Sequence, residues 1–107
     1  MNKHIEAIEK ALEHAKSKHP FFAHAAMAGW SKPDSAECLS SARAQLKTTT
    51  TAKMVSGMDV FACEIAEAQE AYSRGDYAHC LEELAQVGAV NIRMMEAVEE
   101  MMKGGVE

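Results

Sequence analysis

Apolar residues recur at three- and four-residue intervals through most of this 107-residue chain. No window alternates Val, Ile, Thr and aromatic residues with polar ones. The first spacing marks a helix with one covered face; the second would mark a half-buried strand. Ile5, Ile8, Leu12 and Ala15 form the stripe of a first helix over about 2–18. Pro20 disfavours helical geometry at His19 and ends it. Phe21 to Ala28 is apolar and reads as a short helix, and Gly29-Trp30-Ser31-Lys32-Pro33 as a loop. Asp34, with Glu37 three residues on, reads as a capping box for a second helix over about 34–46. Thr48 to Thr51 is a β-branched run of low helix propensity, because χ1 freedom is lost in a helix, and reads as a connection. A third helix covers about 52–73, with a disturbance near Gly57. Gly75-Asp76 stops it and caps a fourth over about 77–103, which Gly104-Gly105 ends. Four helices with short links predict an all-α fold, an antiparallel four-helix bundle forming one domain over 1–107.

The last two helices carry glutamates out of place. At about 100° per residue, Tyr77, Leu81, Leu84, Val87, Met94, Met95, Val98 and Met102 share one broad side of the fourth helix. Glu82, Arg93, Glu96 and Glu100 lie opposite, as a solvent face should. Glu83 instead lies on the flank of the apolar arc, Asn91 near its middle and Gln86 at its edge. On the third helix Val60, Phe61, Ala68, Ala71 and Tyr72 define the apolar side, with Glu64 among them and Glu67 at the edge. Only Arg74-Gly75-Asp76 separates the two helices, so Glu64, Glu67 and Glu83 are expected to converge. Buried carboxylates pair, protonate or bind metal. Arg74 and Arg93 are the only arginines on this hairpin, and neither is placed to pair with all three. A hard cation with oxygen ligands is one resolution; Mg²⁺ typically takes a few carboxylates and keeps waters for a phosphate substrate. A wet acidic surface is the other.

Charge sharpens this only partly. Residues 1–58 carry eight Lys/Arg against five Asp/Glu, and 59–107 three against eleven, for a net charge of −5. An acidic chain is a poor binder of nucleic-acid polymers, since phosphate contacts need positive charge. No stretch approaches the roughly 18 apolar residues of a membrane span, and the charged N-terminus lacks a signal-like apolar region. Cys38, Cys63 and Cys80 are odd in number and widely spaced, and read as free thiols filling space in a reducing compartment. A cytoplasmic protein with no membrane partner is the expectation. His14, His19 and His24 do not share a helical face, which argues against zinc.

Glu64-Ile65-Ala66-Glu67 and, fifteen residues later, Glu83-Leu84-Ala85-Gln86 resemble the E-x-x-E … E-x-x-D signature of the MazG-like, all-α nucleoside triphosphate pyrophosphohydrolases, particularly their phage-associated members. The likeness covers about residues 59–100. It implies that Glu64, Glu67 and Glu83 bind Mg²⁺ (Mn²⁺ possible) and serve catalysis. The cation would hold a nucleotide that water splits into monophosphate and pyrophosphate. It also implies a homo-oligomer, a dimer or tetramer, which the broad apolar arc of the fourth helix suits as well. Two positions depart from the pattern: Gln86 replaces the fourth acid, leaving a neutral amide as the fourth metal ligand, and Cys63 stands where a further Glu is frequent. An enzyme is therefore one expectation. The other is a catalytically weak or inactive module of the same fold that binds a nucleotide or a protein. Trp30, beside Gly29, is a candidate for stacking on a base, Lys53 for meeting phosphates, and Asn91 for a further substrate contact.

Overall fold

The computed structural model describes residues 2–18, 32–50 and 55–104. They form four helices: α1 (Lys3–Lys18), α2 (Lys32–Thr49), α3 (Gly57–Ser73) and α4 (Tyr77–Met102). The all-α expectation holds, and no strand occurs among the described residues. No described helix is long and apolar enough to cross a membrane.

The ends of the helices show where local chemistry outweighs simple pattern. α2 starts at Lys32 rather than at a cap on Asp34, and Pro33 sits in its first turn. Proline suits that place, because its missing N–H would have no helical partner there and its φ is already helical. At the other end Thr48 and Thr49 are helical, not a connection. Their hydroxyls donate back to the carbonyls of Ala44 (2.9 Å) and Gln45 (3.2 Å), and Thr50 does the same to Leu46 (2.6 Å). This back-bonding lets a β-branched run finish a helix. α3 begins later than expected, at Gly57, with Val55 and Ser56 outside it. Ser56 is the N-cap and accepts from the Asp59 amide at 3.3 Å. Asp76 caps α4 as anticipated, accepting from the His79 amide at 3.1 Å. The turn between them needs Gly75, whose φ of +81° is favourable only without a Cβ. Arg74 locks the same turn: its Nε donates between the two Glu70 oxygens (2.9 and 2.8 Å), and its Nη1 makes a longer ion pair to Asp76 (3.6 Å). The expected break at His19-Pro20, the short helix over 21–28 and the loop at 29–31 lie outside the described residues.

α3 is the centre of the packing, with α2 on one side and α4 on the other; α1 makes its main contact with α4. Two small clusters form the core. Leu39, Cys63 and Ala66 join α2 to α3, flanked by Cys38, Ala42 and Leu46. Ala68, Ala71 and Cys80 join α3 to α4, flanked by Tyr72 and Leu84. Small residues let the helices approach closely, and the thiols serve as fillers: burial pushes Cys63 and Cys80 above the ordinary thiol range. Much of the broad apolar arc of α4 is open. Tyr77, Leu81, Val98 and Met102 are all exposed, and Cys80 is the helix's one buried residue.

Candidate metal centre

Glu64 and Glu67 stand three residues apart and so share a face of α3. The tight α3–α4 turn brings α4 back along that face. Glu83 thereby meets them: one carboxylate oxygen from each residue lies within 4.8 Å of the others. All three are half-buried. The side chain of Glu83 is 15% exposed, and its Oε2 is buried without a hydrogen-bond partner.

Three acids so close cannot all stay ionised at no cost. Burial, a hydrogen bond to Glu83 and the charges of Glu67 and Glu83 raise the Glu64 carboxyl from its ordinary 4.5 to about 7. A proton held on Glu64 supplies the donor that Glu83 otherwise lacks. A divalent cation would satisfy the same oxygens with greater charge, and a set of carboxylate oxygens is the donor type that hard cations prefer. The donor set and the orphaned Oε2 therefore fit a Mg²⁺ or Mn²⁺ ion.

Two further side chains reach these carboxylates, and neither pairing is expected from the sequence. Arg43 of α2 reaches Glu67 at 3.9 Å, a long contact with an arginine that is 60% exposed, so it offsets little of the charge. His79 lies one turn before Glu83, and its Nε2 is 3.4 Å from Glu83 Oε1. The i, i+4 spacing of His79 and Glu83 was the available signal. Engaging Oε1 leaves Oε2 to face inward, so His79 orients the carboxylate. Replacing His79 by Ala should weaken cation affinity by roughly tenfold, as loss of groups that orient metal ligands typically does. Calorimetric titration with Mn²⁺ checks this. Glu70, one turn past Glu67, is held by Arg74 and is 22% exposed.

The remaining candidates fare unevenly. Gln86 is exposed, three residues on from Glu83. Asn91 is half-buried, with only a weak contact from Nδ2 to the Met95 sulfur at 3.8 Å. It stands two turns past Glu83, about 12 Å along the helix axis. Trp30 and Lys53 lie outside the described residues. Comparison with protein-family models, with curated proteins and with solved structures returns no match.

Proposed function

We propose that this chain is a divalent-cation-dependent nucleotide pyrophosphohydrolase of the MazG-like type, acting as a homo-oligomer on a nucleoside triphosphate or a related pyrophosphate. The observation that carries the reading is the convergence of Glu64, Glu67 and Glu83 from two helices, with a long contact from the exposed Arg43 to Glu67 as the counter-charge among the described residues. Their oxygens would hold Mg²⁺ or Mn²⁺, and Gln86 would add a neutral amide oxygen from the exposed edge. When bound, the cation supplies charge neutralisation on phosphate oxygens. Asn91, further along α4, would meet the sugar or base, with Trp30 and Lys53 as further candidates. The matching E-x-x-E … E-x-x-Q spacing supports the reaction class.

A second reading is favoured by Gln86: a module that binds cation and nucleotide but turns over little. Pyrophosphate release from a panel of ordinary and modified nucleotides, with Mg²⁺ or Mn²⁺, separates the two. Turnover supports the enzyme. Nucleotide and cation binding without turnover supports the module, and neither binding nor turnover removes both. Gln86→Asp adds a charge beside the cation and should tighten its binding by roughly tenfold, since affinity follows the ligands' charge count. A melt with and without Mg²⁺ checks it. A variant that is destabilised and not rescued by Mg²⁺ would place the cation elsewhere.

A further inference from the structure

Three carboxylates and one divalent cation carry no surplus positive charge. A triphosphate or pyrophosphate brings several further negative charges, and a phosphate chain in such a place is held by cationic side chains as well as by metal. The chain has three arginines. Arg74 is committed to Glu70 and Asp76 at the α3–α4 turn. Arg93 stands ten residues past Glu83 on α4, about 15 Å along the helix axis.

Arg43, on α2, differs from both. Its Nη2 is 3.9 Å from Glu67 Oε2, and its side chain is 60% exposed. That separation is too long for a hydrogen bond. The guanidinium is therefore within reach of the carboxylates without being engaged by them. Arg43 also lines an open cleft between α2 and α3, together with Ala36, Leu39, Ser40 and Glu70. Glu70 on the far wall does not oppose an anion strongly, because Arg74 already donates to both of its oxygens. Arg43 thus stands where the cleft meets the carboxylate centre. A guanidinium is a planar fork that meets two phosphate oxygens at once, which an ammonium cannot do.

We infer that Arg43 is a substrate-binding residue, which leaves Glu67 for the oxygens of a phosphate chain lying between the carboxylate centre and this cleft. The inference rests on the divalent-cation reading and adds to it a residue of α2, outside the acidic pattern of α3 and α4. Arg43 and a cation compete for Glu67, so Arg43 is freed when Glu67 turns to the cation. That competition gives the test a sign which a merely structural role would not produce.

Arg43→Gln should leave Mg²⁺ affinity unchanged or raised, since a competitor for Glu67 is gone. The same variant should bind inorganic pyrophosphate, titrated by calorimetry at saturating Mg²⁺, roughly tenfold more weakly or worse, the value of a hydrogen bond to a charged group. Arg43→Lys keeps the charge without the fork and should fall between. As an exposed side chain, Arg43 can be replaced at little cost to the fold. Lys47→Gln removes the same charge one turn on, away from the cleft, and should bind pyrophosphate as the wild type does. Equal pyrophosphate binding by wild type and Arg43→Gln would overturn the inference. So would a parallel loss of Mg²⁺ affinity, or an equal loss in Lys47→Gln, which would make the effect one of overall charge. A wild type that binds Mg²⁺ but no pyrophosphate would remove the inference and leave the cation reading standing. A wild type that binds no Mg²⁺ would remove both.

Discussion

Glu83→Gln should raise the melting temperature of the cation-free protein near neutral pH and, in the same variant, abolish cation binding. The two effects have one origin. Glu83 Oε2 is buried beside two other carboxylates and has no donor once Glu64 loses its proton. An amide removes one like charge and adds an N–H that a neighbouring carboxylate can accept. Against this stands the loss of the His79 contact, but at 3.4 Å with the imidazole side 42% exposed it is worth little. Relief of the buried charge should win, by on the order of 1 kcal/mol, with each 1 kcal/mol raising the midpoint by about 4–8 °C in a domain of this size. Cation affinity and any pyrophosphate release should fall at least a hundredfold, on the order of a lost electrostatic contact at a reacting centre. A variant that melts lower and still binds Mn²⁺ would deny that Glu83 belongs to the centre. For comparison, Glu82 faces solvent on the same helix, and Glu82→Gln should change neither property.

The second large effect is on the pH dependence of stability. The Glu64 carboxyl titrates at about 7 in the folded protein and at its ordinary 4.5 once unfolded. Between those values the folded state holds a proton that the unfolded chain has released. Stability from this group is therefore complete below the unfolded value, falls as pH rises through the window, and is lost above about 7. A cation prefers the deprotonated cluster, so Mg²⁺ should restore stability most at pH 7 and above, and little at pH 5. A ligand at a hundred times its dissociation constant contributes about 2.7 kcal/mol. Thermal melts from pH 5 to 8, with and without millimolar Mg²⁺, should give curves that diverge as pH rises. Glu64→Gln should flatten the cation-free curve, and parallel curves would remove the coupling between this carboxyl and the cation.

Much of this was legible in the sequence, and the parts that were not share a physical cause. The four helices follow from apolar spacing, and the α3–α4 turn from Gly75-Asp76, because these are local properties. The convergence of Glu64, Glu67 and Glu83 follows from that hairpin alone, since a three-residue turn leaves the two faces no other arrangement. What the sequence concealed depends on partners distant along the chain. Arg43 reaches Glu67 only because α2 packs on α3. Helix α2 continues through Thr48 and Thr49 because their hydroxyls find carbonyls four residues back, which a propensity scale averages away. The breadth of the apolar arc of α4 is legible in the sequence, but not which of its residues this chain covers. Spacing tells which face wants cover, not whether the same chain supplies it, and on Tyr77, Leu81, Val98 and Met102 it does not.

The central claim is that Glu64, Glu67 and Glu83 hold one divalent cation per chain. Titration of the full chain with Mn²⁺ at pH 6.5, in two buffers of different ionisation enthalpy, tests it most directly. The predicted result is one site per chain with release of part of a proton, because Glu64 is still largely protonated at that pH and must lose its proton to bind. Binding without proton release, or equal binding by Glu83→Gln, would contradict the account.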